Sequence, residues 1–140
     1  MIQNFLFPVY SNFWYSLLLL FARIVFGGMF LTHGLQKLVN FKTFSDSFPS
    51  IMGMGSTLSL SLAIFAEVLC TLAFITGFLY RLSMLPMIFT MIMAVFVAHA
   101  NDPFSVKELA ALYLVIFIVM YLTGPGAFAA DYFFARKIAV

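Results

Sequence analysis

Charge and cysteine are both scarce in this chain of 140 residues. Only 9% of the residues are charged and 64% are hydrophobic, whereas a soluble domain carries about a quarter charged residues. The composition therefore predicts a protein surrounded by a lipid bilayer. A net charge of +2 is too small to indicate nucleic-acid binding. Cys70 is the only cysteine, which excludes an internal disulfide and a cysteine-based metal cluster.

Long apolar runs define the organisation of the chain. At about 20 residues per membrane span, 140 residues hold four spans and leave no room for a second domain, so we expect residues 1–140 to form one domain. Three polar turns separate the runs. The predicted fold class is an all-α membrane protein, a four-helix transmembrane bundle in up-down-up-down order. The predicted spans are residues 13–38, 58–79, 83–99 and 106–123, followed by an interfacial tail at 131–140.

Polar residues lie along one side of the first span. At 100° per residue, Arg23, Phe30, Gly34 and Lys37 fall within roughly a quarter-turn of one another, and His33 lies on the flank of the same stripe. The opposite side of this helix is apolar. We therefore expect the stripe to face other parts of the protein and the opposite side to face lipid.

Arg23 and Glu67 are the charges placed deepest within their spans. Counted from the same membrane face, they lie ~15 Å and ~18 Å deep on antiparallel helices. Each charge alone costs several kcal/mol in hydrocarbon, so the matching depths predict an ion pair. The role of such a pair stays open between a structural clamp and part of a proton-linked or ligand-binding site. Snorkelling of Arg23 alone to the interface is disfavoured by its depth.

A second group of polar residues is expected at one end of the bundle. His33 and Lys37 lie near the end of the first span, His99 ends the third and Glu108 opens the fourth. Contacts with lipid headgroups, or with the helix dipole for Glu108, are the alternative explanation. Two histidines on different helices are a weak signal for a haem or a metal, so no metal site is predicted. The predicted ligand-binding residues are Arg23, Phe30, His33, Lys37, Glu67, His99 and Glu108.

The ordered set of these residues resembles the DoxX family of small bacterial and archaeal membrane proteins. The likeness extends from Leu18 to Asp131. Two positions depart from the family pattern: Cys70-Thr71 replaces a glycine pair, and Ala129 replaces a serine. The residues that carry the likeness are Arg23, residues 33–38, Glu67, Gly77 with Arg81, His99, residues 107–113, residues 124–126 and Asp131.

The resemblance implies a four-helix integral membrane protein associated with quinone-linked oxidoreductase systems. We therefore expect a quinone-like amphipathic ligand within the bundle, a partner oxidoreductase and a homo-oligomer in the bacterial inner membrane. The rival functions are a non-catalytic anchor or scaffold for a partner enzyme, and a small transporter or lipid-binding protein. If Lys37 lies within the membrane, the remaining Lys and Arg residues favour cytoplasmic termini.

Overall fold

Four long helices dominate the computed structural model, which describes residues 12–138. They contain 27, 21, 19 and 20 residues, and even 19 residues span about 28 Å at 1.5 Å per residue, close to the thickness of a bilayer core. The four predicted spans are confirmed, with bounds that differ by three residues at most. The helices are α1 (Phe13–Val39), α2 (Phe41–Ser45), α3 (Ser56–Thr76), α4 (Tyr80–Ala98), α5 (Phe104–Thr123) and α6 (Ala130–Ile138).

Helix α1 buries the stripe that its sequence predicts. Its N-cap is Asn12, whose side-chain oxygen accepts a hydrogen bond from Tyr15 N–H at 3.3 Å. The buried positions recur every three or four residues, as expected for one helix face, and apolar residues of the opposite face such as Leu18 and Ile24 are exposed. The buried residues of α1 are Ser16, Leu19, Arg23, Gly27, Phe30 and Gly34.

Antiparallel contacts join α1 to α3 and α4 to α5. Lys37 contacts Glu67 near one end of the first pair, and Arg23 contacts the Ile75 carbonyl near the other. In the second pair, Tyr80 Oη donates to the Met120 carbonyl oxygen at 3.2 Å. The bundle end that contains residue 37 is called the Lys37 end below, and the opposite end the Gly77 end.

Aromatic rings fill the space between the helices. Phe30 lies 5.1 Å from Tyr113 and 4.9 Å from Phe117, measured between ring centroids. Phe74 stacks on Tyr80 at 5.5 Å and meets Phe117 edge-on at 5.7 Å. Such tilted and stacked pairs are the favoured arrangements of aromatic rings. They hold α1, α3, α4 and α5 together around one apolar core.

Two of the spanning helices contain a π-helical turn. One covers Phe65–Cys70 in α3 and the other Ala94–Ala98 in α4. A π turn inserts an extra residue and breaks the regular hydrogen-bond ladder, and such turns are frequent at functional sites. Thr71 Oγ1 compensates part of this break by donating to the Ala66 carbonyl oxygen at 3.2 Å. The turns change which side chains of α3 and α4 face inward.

Candidate functional site

Arg23 is fully buried and binds backbone carbonyl groups. Its side chain is 0% exposed, and it donates to the Ile75 oxygen at 3.0 Å and to the Phe128 oxygen. Ile75 belongs to the last turn of α3, where carbonyl groups lack helical partners and carry the negative end of the helix dipole. Arg23 therefore joins α1, the end of α3 and the segment before α6.

The predicted pairing of Arg23 with Glu67 is wrong. The prediction measured depth from a common membrane face, but α1 extends about ten residues beyond the level at which α3 ends at Thr76. The Gly77 end of α1 is covered instead by the segment after α5, where Ala127 N–H donates to Ser16 Oγ at 3.1 Å. Arg23 consequently lies beside the end of α3, not beside its middle.

Asp131 completes the closure of the Gly77 end. Its carboxylate accepts hydrogen bonds from the backbone N–H groups of Leu79 and Tyr80, each at 2.8 Å. These groups start α4 and have no helical acceptor. Leu79 has a φ of +43°, a region that bulky residues rarely adopt, and the carboxylate holds it there. Asp131 thus supplies from α6 the N-terminal cap that α4 lacks in its own sequence.

The buried carboxylate of Glu67 binds Lys37 instead. Lys37 Nζ donates to both carboxylate oxygens; the Lys37 side chain is 26% exposed and the Glu67 side chain 1%. Gly34 permits this approach of α1 to α3, since a Cβ at residue 34 would lie 2.7 Å from Glu67 Cβ and 2.8 Å from its carbonyl oxygen. An ion pair therefore crosses the α1–α3 contact, within the π turn of α3.

A pocket of about 220 Å³ lies beside this ion pair, between α1, α4 and α5. We call it the inner pocket. Tyr113 forms one wall, and its ring lies edge-on to that of His33 with 6.1 Å between centroids. The lining residues are Phe30, His33, Lys37, Glu67, Met91, Ala94, His99, Val106, Leu109, Ala110 and Tyr113.

The hydroxyl group of Tyr113 is the unusual feature of the inner pocket. The side chain is 4% exposed, and among residues 12–138 its oxygen has no hydrogen-bond partner. A buried tyrosine hydroxyl normally finds one, because leaving it unsatisfied costs about 1–3 kcal/mol. The inner pocket, which Lys37 and Glu67 also line, is therefore bordered by a tyrosine whose buried hydroxyl group lacks a partner among the described residues.

His99 lies at the rim of the inner pocket. Its Nδ1 is 2.7 Å from Asp102 Oδ2, and Lys107 Nζ donates to the His99 carbonyl oxygen at 3.2 Å. These contacts hold the turn between α4 and α5 over the pocket. Glu108 is exposed and is absent from the lining, so the structure does not bring it together with the other predicted residues.

A long groove adjoins the inner pocket on the outer side of α3 and α4. Its volume is about 1060 Å³, and the segment at residues 48–54 covers one end. We call it the outer groove. Lys37, Glu67, Met91, Ala94 and His99 line both cavities. The ion pair is therefore reached from the bundle interior and from the lipid-facing side.

Comparison with known proteins now identifies the chain. The family model for DoxX matches residues 18–100. The chain belongs to the DoxX family. No curated protein and no solved structure matches it. Together with its four apolar helices, the family makes this DoxX protein a multi-pass membrane protein.

Five of the seven predicted ligand-binding residues meet at the inner pocket of this DoxX protein. These are Phe30, His33, Lys37, Glu67 and His99, whereas Arg23 and Glu108 lie elsewhere. Within residues 12–138, no group of three or more His, Cys, Asp or Glu side chains is placed to hold a metal ion.

Sequence reasoning missed Tyr113 as a pocket residue. A signal was present, because a tyrosine in the middle of a membrane span needs a partner for its hydroxyl group. The tyrosine lies beyond the matched residues, in the second half of the bundle. Without the packing of α5 against α1, its hydroxyl could not be assigned to the same cavity as Lys37.

Proposed function

We propose that this DoxX protein binds the head group of a quinone-like amphipathic ligand in the inner pocket and thereby supports quinone-linked oxidoreduction in the membrane. The observation that carries the proposal is the buried Tyr113 hydroxyl, which has no partner among the described residues. A quinone head group offers carbonyl oxygens that accept hydrogen bonds. The Tyr113 hydroxyl would donate to one of them and lose its desolvation penalty.

The dimensions and walls of the inner pocket fit a single ring. Its volume of about 220 Å³ is below the 300–1,000 Å³ range typical of pockets that enclose a whole drug-sized ligand. Phe30 and Tyr113 pack against each other with 5.1 Å between ring centroids and together give the pocket an aromatic side. A ring therefore fits, and a longer molecule must extend beyond the inner pocket.

Lys37 and Glu67 supply the charges that quinone chemistry requires of its protein. The Lys37 ammonium group is a second donor beside the Tyr113 hydroxyl, and the Glu67 carboxylate is a group that can hold a proton. His99 and its partner Asp102 extend from the pocket rim toward the Lys37 end. Bound quinone would supply the electron chemistry, while these residues orient its head group and hold protons near it.

The proposal includes the setting of the protein. Arg81 at the start of α4 and Arg136 and Lys137 in α6 lie at the Gly77 end, and with Lys37 in an ion pair they favour that end as cytoplasmic. The family resemblance implies a bacterial inner membrane. Residues 1–11 and 139–140 lie outside the described residues, so cysteine labelling near residues 3 and 138 would test the expected common side of the termini.

Association with a partner oxidoreductase and formation of a homo-oligomer belong to the same proposal. The support is the family resemblance, which implies association with such an enzyme. Crosslinking in native membranes followed by mass spectrometry would test both associations. If only uncrosslinked monomer is recovered, the proposed associations are wrong, whereas the proposed ligand site is unaffected.

A conservative variant tests the ligand site. Tyr113→Phe removes one hydroxyl group and keeps the ring, so it should weaken binding of a short-chain benzoquinone by about tenfold, or about 1.4 kcal/mol. His33→Ala and Lys37→Ala should each weaken binding by at least about tenfold. Tyr80→Phe is the matched control, because the Tyr80 hydroxyl is bonded to Met120 and lies outside the inner pocket.

The rival functions give different results. If the protein is only a scaffold, the parent protein should bind no benzoquinone, or the parent, Tyr113→Phe and His33→Ala proteins should bind it equally. Extraction of the purified protein with organic solvent provides an independent readout, since a quinone-binding protein should release a compound with redox-dependent absorbance. A small transporter would instead move solute across liposomes with the inner-pocket variants impaired.

A further inference from the structure

The outer groove runs along the membrane-spanning length of α3 and α4. It extends from Phe78 and Leu79 at the Gly77 end to His99 at the Lys37 end. From Met91, where the outer groove meets the inner pocket, to Leu79 is twelve residues of helix, or about 18 Å. This exceeds the depth of one leaflet, which is about 15 Å of the roughly 30 Å hydrocarbon core.

Among the described residues, polar groups that are not bonded to their own helix or turn border this groove at one place. Ser83 Oγ donates to the Tyr80 carbonyl oxygen at 2.9 Å, and Thr90 Oγ1 donates to the Pro86 carbonyl oxygen at 2.8 Å. Ser59 Oγ likewise donates to the Gly55 carbonyl oxygen at 2.8 Å. These hydroxyl groups bond to their own helices or to the turn before them. The outer groove is therefore apolar, except where Lys37, Glu67 and His99 border the inner pocket.

At the polar junction of the two cavities, Glu67 lies at the middle of α3, whereas Lys37 and His99 lie near the ends of α1 and α4. Glu67 is eleven residues after Ser56 and nine before Thr76, the two ends of α3, so it lies about 14 Å from the nearer end. A phospholipid keeps its charged headgroup at the interface and cannot bring it to Glu67 at low cost. An uncharged head group carries no such penalty.

We propose that the outer groove holds the hydrocarbon tail of the ligand whose head group occupies the inner pocket. This inference rests on the proposed function and narrows the ligand to a long-tailed compound that resides in the membrane, with a small uncharged head. The continuity of the two cavities at Lys37, Glu67, Met91, Ala94 and His99 gives the tail its exit. The apolar path toward Leu79 gives it a binding surface.

Photolabelling in liposomes locates the tail directly. The probe is a benzoquinone with a straight alkyl tail that ends in a diazirine, and adducts are mapped by mass spectrometry after irradiation. We expect adducts on Phe78 and Leu82, which line the far part of the outer groove. Leu122 on α5 is the control, because it is exposed to lipid and lies near the same end. Equal labelling of Leu82 and Leu122 would mean access from bulk lipid and would overturn the proposal.

A groove-filling variant gives a second readout. Ala73 lines the outer groove between Glu67 and Phe78, so Ala73→Trp should block the tail. It should weaken binding of the long-tailed probe by about tenfold and leave binding of a tail-less benzoquinone unchanged. Leu122→Trp adds the same ring on α5, outside the groove, and should change the binding of neither the long-tailed probe nor the tail-less benzoquinone. If Ala73→Trp does not fold, the label positions on the parent protein still decide the question.

The two proposals fail in different ways. If the tail-less benzoquinone binds and Tyr113→Phe weakens it, while the probe labels no groove residue in preference to Leu122, only the tail site is wrong. If neither benzoquinone binds, the head-group site is wrong and the tail site is overturned with it.

Discussion

Two buried charged centres in one small bundle are satisfied in different ways. Arg23 binds two backbone carbonyl groups at the Gly77 end, where the segment before α6 closes over it. Among residues 12–138, Glu67 binds one flexible partner, Lys37, beside a pocket lined by Tyr113, whose hydroxyl has no partner among the same residues. The first centre joins three parts of the chain; the second lines a cavity together with this tyrosine.

The backbone differs between the two centres as well. Arg23 belongs to a regular α-helix and binds the last turn of α3 and the non-helical segment before α6, whereas Glu67 lies within the π turn of α3, and the π turn of α4 ends one residue before His99. Broken hydrogen-bond ladders cost stability and persist where the surrounding structure or a function maintains them. The comparison teaches that buried charge by itself does not mark a membrane site; an incompletely satisfied neighbourhood does.

The largest effect is expected from Lys37→Met. It leaves the Glu67 carboxylate, 1% exposed, without a countercharge, which should lower the free energy of unfolding by roughly 3–5 kcal/mol. Thermal unfolding in detergent measures this. Adding Glu67→Leu should recover much of the loss, because the remaining charge is also removed. A double variant no more stable than Lys37→Met would contradict an energetically coupled pair.

Arg23→Met should have the next largest effect. It leaves the carbonyl groups of Ile75 and Phe128 without this donor, at about 1–2 kcal/mol each, so we expect a loss of roughly 2–4 kcal/mol in detergent unfolding. Addition of Glu67→Leu should give no rescue, because the two residues are not partners. At temperatures where the variant is folded, its benzoquinone affinity should equal that of the parent; a tenfold loss would place Arg23 in the ligand site.

Gly34→Ala tests the close approach at the ion pair. The added methyl group would lie 2.7 Å from Glu67 Cβ and 2.8 Å from its backbone carbon and oxygen, so α1 and α3 must move apart at a cost of about 1–3 kcal/mol. Gly28→Ala on the same helix is the control, because nothing lies within 4 Å of its Cβ position. Equal unfolding temperatures of the two variants would show that the helices separate without cost.

The smallest expected effects on stability are those of removing the hydroxyl group from two buried tyrosines, Tyr80 and Tyr113. Tyr80→Phe removes a hydroxyl that donates to the Met120 oxygen at 3.2 Å and should lower the free energy of unfolding by about 1 kcal/mol. Tyr113→Phe removes a hydroxyl without a partner among residues 12–138, so stability should be unchanged or slightly higher in ligand-free protein. A clear loss for Tyr113→Phe would indicate a structural hydrogen bond and would weaken the case for the inner pocket.

The sequence by itself determined the four spans, the turns between them and the buried face of α1. These features depend on local composition and periodicity, which a bilayer makes especially strict because only long apolar helices satisfy their backbone within it. The stripe of Arg23, Phe30, Gly34 and Lys37 followed from helical geometry alone. Five of the seven predicted site residues do line one cavity, the inner pocket.

Only the tertiary structure decided which charges meet. The pairing depends on how far α1 slides past α3, and that offset is set by the segment after α5 that folds back onto Ser16 and Arg23. Its position cannot be read from the helices it covers. The π turns also rotate the side chains that follow them, so a regular period of 3.6 residues misplaces their faces. The register between two helices depends on how they pack. Because α1 is shifted along α3, Glu67 pairs with Lys37 and not with Arg23 as expected.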